Sequence, residues 1–418
     1  MAVSRKFLML IIFCSCSMIN AFQWIEYAII SNIVSKYYGV SEATVAWTSL
    51  LYLLGYIMLA FPSAWVLDTL GLRVTVIIGA TGTCIGACIK VMSVEPGRFA
   101  LVLVGQSFPA FAQAFILGVP PRLASAWFRY EEISTACSTA VIGNQLGIAL
   151  GFVIPPYLID EANVKSSLLV MCFGVAVVSF LCSSLAIVAF QDKPENLPSF
   201  AEMVKRDSTN EVGFVQGLCR LLAIAEFSFL LLSYGIITGT FYALSTLLNP
   251  VVLECFPGEK NFAGWIGLVL IVSGLVGSWM CGVLLDKTGE FKQVTFFVYA
   301  LSTVGVLAYT FVFALRSRFL VVLVCFFLGF FMTGYIPIGL QVGSEITYPL
   351  PEGLTANMLN MSAQGMGFLL ILVSAHIREQ IGDRAANFSM SVLMIIGCGV
   401  TMMLKMQPKR REALRTPA

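Results

Sequence analysis

Charge and histidine are scarce in this chain. Only 11% of its 418 residues are charged, and His376 is its single histidine. Soluble domains carry roughly 25% charged residues, so most of the chain cannot be a water-facing globule. One histidine cannot build a multi-histidine metal site. The 12 cysteines lie scattered through apolar segments without a C-x-x-C pair. They form neither a zinc site nor a disulfide frame and read as small core residues. A net charge of +2 offers no basic face for nucleic acid. No metal cluster, nucleophile–base pair or phosphate loop points to an enzyme, and nothing in the sequence requires a cofactor.

What the chain has instead is apolar length: 58% hydrophobic residues and a mean hydropathy of +0.88. A membrane-spanning helix needs about 20 apolar residues. Reading between charge and turn clusters predicts twelve spans, at 7–35, 43–67, 73–94, 99–120, 132–158, 166–190, 221–249, 262–285, 293–315, 318–344, 353–376 and 386–405. The run after Arg5-Lys6 is too long for a signal peptide and has no clear A-x-A site, so it reads as the first span. The longest polar interruption, QDKPENLPSFAEMVKRDSTNEVG (191–213), follows span six. The predicted organisation is an N-terminal half (1–190), a cytoplasmic linker (191–220), a C-terminal half (221–405) and a basic tail (406–418). An all-α membrane protein with two pseudo-symmetric six-helix halves is the layout of major facilitator transporters.

Lys and Arg set the orientation. With both termini in the cytoplasm, sixteen of the 25 basic residues fall on the inner side. The sequon Asn387-Phe388-Ser389 then lies outside, against span twelve.

The halves repeat weakly. Asp68-x-x-Gly71-x-Arg73 follows span two, and Gly282-x-x-x-Asp286-Lys287-x-Gly289-x-x-Lys292 follows span eight, with the aspartates 218 residues apart. Such turns form cytoplasmic gate latches, in which an acid caps a helix N-terminus and a basic residue pairs with it. Phe128-x-x-x-Glu132 matches Tyr348-x-x-x-Glu352 at an offset of 220. An offset of 218 pairs Trp24 with Tyr242, and one of 219 pairs Gln145 of GNQLG with Gln364 of SAQGMG. Gln145 lies 13 residues beyond Glu132, about 20 Å along a helix and so near mid-membrane.

Trp24 is too deep for an interfacial anchor. It sits in NAFQWIEYAII, where Asn20 and Gln23 interrupt the apolar run, and Tyr242 follows Gly235 and Gly239, which read as helix-loosening residues. Two electron-rich rings from matched positions suit an organic cation, above all a quaternary ammonium. Buried amides need partners, which a substrate hydroxyl or amine provides. The candidate substrate residues are Trp24, Tyr242, Gln145, Gln364, Asn20 and Gln23, and the candidate gate residues are Asp68, Arg73, Asp286, Lys287 and Lys292. Titratable groups are scarce along the middle of the bundle, with Glu26 and Glu226 the nearest and Lys90, Glu345 and His376 placed near helix ends. That scarcity favours downhill facilitation over ion coupling. Glu26 has two readings, a cation-steering group at the outer mouth or a helix–helix hydrogen bond to a Ser or Tyr. Gly143, Gly147 and Gly151 stand at four-residue spacing and read as close helix packing.

NAFQWIEYAIISNI, WVLDTLGLR, FILGVPPRLASAWF, STACSTAVIGNQLG, SYGIITGTFYALSTLLN, GFFMTGYIPIGLQVGSEITYP and NMSAQGMG together resemble the feline leukemia virus subgroup C receptor family, solute carrier family 49. The likeness runs over nearly all of the membrane core. Few residues lie before span one or after span twelve, where the family carries longer soluble termini. The resemblance implies a monomeric, lipid-embedded uniporter of choline and ethanolamine, with haem as the historical alternative cargo. It also implies an aromatic cage at Trp24 and Tyr242, with Gln145 and Gln364 on the hydroxyl or amine end. The implied residence is the plasma membrane, with a mitochondrial or endoplasmic-reticulum membrane as the alternative. Haem would need an axial ligand, and His376 lies near the outer end of span eleven. A non-transporting receptor or scaffold is the remaining rival reading.

Overall fold

A computed structural model describes residues 2–128, 132–192, 214–288, 290–347, 350 and 352–404. Among them, twelve helical segments are long and apolar enough to cross a membrane. The order is α1 (Ala2–Ile25), a 3-10 turn (Ala28–Ile30), α2 (Ser31–Tyr38), α3 (Glu42–Thr69), α4 (Leu72–Met92), α5 (Phe99–Leu117), α6 (Val119–Trp127), α7 (Ile133–Leu158) and α8 (Val164–Ala189). There follow α9 (Phe214–Leu222), α10 (Ala225–Thr246), α11 (Leu248–Cys255), α12 (Lys260–Thr288), α13 (Phe291–Val312), α14 (Arg318–Thr347), α15 (Glu352–Ile381) and α16 (Asp383–Met403). The first span is the longest, Arg5–Tyr38, and combines α1, the 3-10 turn and α2. The part of the expected linker that is described includes a helical turn pair, α9. Residues 193–213 and the basic tail lie outside the described residues.

The chain forms two compact units. One takes Met1–Lys205 together with Leu248–Pro250 and Glu259–Trp265, and the other takes Arg206–Leu247, Val251–Gly258 and Ile266–Ala418. Large apolar side chains face outward along the spans, as Phe173, Phe180 and Val188 do on α8. In a bilayer those faces meet lipid, so association of the helices rests on close packing and on polar groups turned inward.

Glycines set the closest approaches. In the first unit α7 lies against α1 through Gly143, Gly147 and Gly151. A Cβ on Gly143 would lie 2.9 Å from Cys14 Cβ, and one on Gly147 would overlap the carbonyl of Met18. In the second unit the glycines are on α10. A Cβ on Gly235 would overlap Ser362 of α15, and one on Gly239 would lie 2.6 Å from the backbone nitrogen of Gly367. Gly235 and Gly239 therefore seat two helices together, and α10 runs through both without a break. Overpacking of this kind costs about 1–3 kcal/mol or more. Gly147→Leu is expected to lower the yield of folded protein about fivefold or more. Gly174→Leu, on an open face of α8 where a Cβ meets nothing within 4 Å, should leave it unchanged. Fluorescence-detected gel filtration of the two variants makes the comparison.

Asn387 is buried in α16, 3% exposed, so the folded chain does not present its amide.

Candidate substrate site

The first span breaks beside Trp24. The last regular bond of α1 runs from Glu26 N–H to the Phe22 carbonyl at 3.2 Å, and Glu26 and Tyr27 then form a turn into the 3-10 segment. Neither proline nor glycine occurs at this break. Inside a bilayer, broken helix is tolerated only where other groups satisfy the freed backbone, and three side chains do so here. Gln106 of α5 donates through Nε2 to the Gln23 carbonyl at 2.5 Å, and Ser49 of α3 donates through Oγ to the Trp24 carbonyl at 3.1 Å. Asn249 donates through Nδ2 to the Ile29 carbonyl at 2.5 Å while its Oδ1 accepts from Ser31 Oγ at 3.1 Å. The Trp24 side chain itself is buried, 4% exposed.

Directly after Trp24 lies an ion pair. Lys90 Nζ of α4 bonds the Glu26 carboxylate, with both side chains only 1% exposed. Lys90 also donates to Gln106 Oε1 at 3.0 Å and sits 5.7 Å from the centre of the Tyr27 ring. Tyr27 in turn contacts Cys172 Sγ through its hydroxyl at 3.4 Å. Gly105 makes room for the lysine stem, since a Cβ there would lie 2.7 Å from Lys90 Cγ. Glu26 is thus a helix–helix contact, and its partner is Lys90, not a Ser or Tyr. Lys90, close to the end of α4, is fully enclosed.

The other polar residues of the opening motif are also turned into the unit. Asn20 Nδ2 donates to Thr83 Oγ1 at 3.0 Å and to the Pro109 carbonyl at 2.9 Å, and Gln23 Nε2 donates to Ser179 Oγ at 3.3 Å. Both amides are fully buried. Each keeps a buried oxygen, Asn20 Oδ1 and Gln23 Oε1, with no hydrogen-bond partner.

Gln145, on α7, is half-buried and its Oε1 is enclosed without a hydrogen-bond partner. Its neighbour Asn144 is engaged instead, donating to Ser17 Oγ at 3.2 Å. The second unit carries the matching set. Tyr242 of α10 is half-buried, with the Phe241 ring edge-on at 6.3 Å. Gln364 of α15 is 3% exposed and its Oε1 likewise lacks a hydrogen-bond partner. The glycine contacts of Gly235 and Gly239 fix α15 against α10, so Tyr242 and Gln364 ride on one tightly packed helix pair, as Trp24 and Gln145 do on α1 and α7. Each unit therefore presents one large aromatic and one amide with acceptor capacity left over.

In the turn after span two the capping acid is not the expected Asp68. Asp192, just past α8, caps α4: its Oδ1 accepts from Leu72 N–H at 2.5 Å and from Arg73 N–H at 3.2 Å. Arg73 donates from its guanidinium to the Ile187 carbonyl at 3.0 Å. Asp68 is exposed at the end of α3, and the charge acting on it is that of Arg122. Lys287 and Lys292 are exposed, and the Asp286 side chain lies outside the described residues. Glu132, ahead of α7, pairs with Lys6 at 2.6 Å, and Lys6 lies 5.2 Å from the ring centres of both Phe7 and Phe128. Sequence reasoning missed Gln106, Asp192 and Asn249, and it named Lys90 only as a group near a helix end. A signal existed for Lys90, because a lysine inside one span and a glutamate inside another must find partners.

His376 is exposed on α15, and no group of three or more potential metal ligands occurs among the described residues.

Residues 8–372 match the model of the Major Facilitator Superfamily. The chain is 44% identical over 414 residues to the choline/ethanolamine transporter flvcr2a of Danio rerio, covering 98% of this chain and 88% of that one. It is 42% identical over 416 residues to the choline/ethanolamine transporter FLVCR1 of Felis catus, covering 98% and 74%. Among solved structures it superposes on a bacterial homolog of the human lysosomal transporter Spinster with a TM-score of 0.77, 14% identity and coverage of 96% and 97%. That last likeness concerns the fold alone. The chain is therefore a multi-pass membrane transporter, not an enzyme, and it belongs to the Major Facilitator Superfamily and, within it, to the feline leukemia virus subgroup C receptor family.

Proposed function

We propose that the chain is a facilitative transporter of choline and ethanolamine. The observation that carries this reading is kinship over 98% of the chain with proteins named choline/ethanolamine transporters. The residues in hand suit that cargo. A trimethylammonium group has no N–H to donate, so it is held by ring faces and dispersion, and Trp24 and Tyr242 are the rings in this reading. Gln145 Oε1 and Gln364 Oε1 are acceptors without partners. They suit the choline hydroxyl or the ethanolamine ammonium, since a buried acceptor left unmade is costly.

The charge distribution supports uniport. The one carboxylate beside Trp24, Glu26, is neutralised by Lys90. Glu26 is thereby engaged as the structural partner of Lys90 rather than left as a free carboxylate. Choline then moves down its own gradient by alternating access of the two six-span halves. In this reading the protein is a monomer in the plasma membrane, surrounded by lipid, with both termini in the cytoplasm. Asn20 and Gln23 act on the site through the backbone of the first span, because their amide nitrogens are bonded within the unit.

Expression in cells with little choline uptake of their own tests this. Saturable uptake of labelled choline, competed by unlabelled ethanolamine and not by haem, is the expected result. Uptake equal to that of vector-only cells for both amines removes the reading.

A further inference from the structure

The interrupted first span is held by a closed polar ring. It starts at the Glu26 carboxylate, passes to Lys90 Nζ, then to Gln106 Oε1 at 3.0 Å, and returns from Gln106 Nε2 to the Gln23 carbonyl at 2.5 Å. The ring thus leaves the first span at residue 26 and re-enters it at residue 23. Trp24 and Ile25 lie between those two points. We propose that Glu26, Lys90 and Gln106 are positioning residues for the substrate site, setting the direction of the Trp24 ring by fixing the backbone on both sides of it. This rests on the reading of Trp24 as a substrate ring.

Three features favour positioning over mere filling of space. First, the ring is assembled where the regular bonds of α1 end at Glu26 N–H, so the path of the chain beyond that point depends on these donors. Second, Gln106 uses both ends of its amide, and its orientation is fixed because Lys90 offers only donors. An ion pair alone would not aim Nε2 at the Gln23 carbonyl. Third, the members are fully buried and the lysine stem passes over Gly105. The geometry therefore has little freedom to relax, and positioning of reacting or binding groups depends on such rigid support.

Two variants remove the ring while leaving no unpaired charge: Glu26→Gln/Lys90→Met, and Gln106→Leu. Purified wild type and variants are compared by hydrogen exchange of the peptide covering residues 24–31 and by choline uptake kinetics per folded molecule. Exchange of that peptide at least tenfold faster, with choline KM raised fivefold or more and Vmax within twofold, is the expected result. Lys165→Met, which removes an exposed 2.7 Å pair with Glu95, should change neither. Wild-type exchange in the folded variants overturns the proposal whatever the cargo. Faster exchange with an unchanged KM also overturns it, because Trp24 then does not depend on the ring. If wild type itself takes up neither amine, the functional reading fails instead, and the exchange measurement alone decides whether the ring holds the span.

Discussion

Trp24→Leu is expected to reduce choline transport at least thirtyfold at low substrate, whereas Trp24→Phe should retain a substantial part of it. A cation on an aromatic face in a desolvated site gains about 2 kcal/mol, and 1.4 kcal/mol is tenfold in affinity. Removing the ring face therefore predicts roughly a thirtyfold rise in KM. Leucine is the better test than alanine. Trp24 is 4% exposed, and truncating a buried tryptophan to alanine removes packing worth about 3–5 kcal/mol. An alanine variant is expected to lose uptake as well, but part of its loss comes from stability. Leucine keeps much of the apolar contact and has no π face, so a normal yield with lost uptake isolates the ring. Tyr242→Phe preserves the face and should change KM by less than about threefold. Uptake assays normalised to surface protein make the comparison, and equal KM values for Trp24→Leu and wild type would remove the cage.

Lys90→Met is expected to cause the largest loss of stability of any single change at a polar position in the first unit. Breaking one side of a buried ion pair leaves the other charge uncompensated and costs about 3–5 kcal/mol. Total stabilities of about 5–15 kcal/mol make that a large fraction. The partner cannot reach water, because Glu26 is 1% exposed, and Gln106 loses the donor that orients its amide. Adding Glu26→Gln should restore most of the thermal stability, since replacing a whole buried pair with neutral groups is often neutral or stabilising. Thermal unfolding in detergent, followed by gel filtration, measures both. A Lys90→Met protein that melts with wild type would mean that the carboxylate finds another partner or is not charged.

Much of the fold was legible in the sequence for one reason: lipid solvates only apolar, internally bonded segments, so span number and order follow from hydropathy. The repeat singled out Trp24, Tyr242, Gln145 and Gln364 as candidates because they fall at matched positions in the two halves. The repeat was less informative about what surrounds each residue. Gly235 and Gly239 looked like loosening elements beside Tyr242, yet they are where α15 fits against an unbroken α10. The cap on α4 comes from Asp192, 120 residues from Leu72, and no local period marks a partner so far along the chain. Position in the sequence placed Lys90 near a helix end. In three dimensions α4 ends beside the break in the first span, so that a residue near the edge of one helix neutralises one deep in another. Asn20 and Gln23 were recognised as polar interruptions of a membrane helix, but which way each amide points depends on Thr83, Pro109 and Ser179, all on other spans.

In the proposed function, this chain moves choline downhill without a coupled ion. Purified protein in liposomes, given labelled choline outside, tests it most directly. Downhill uniport gives entry that stops when inner and outer concentrations are equal, that is unchanged by proton or sodium ionophores, and that is accelerated by unlabelled choline inside. Flux no greater than in protein-free liposomes, or accumulation above the outer concentration that collapses when an ionophore is added, would contradict it.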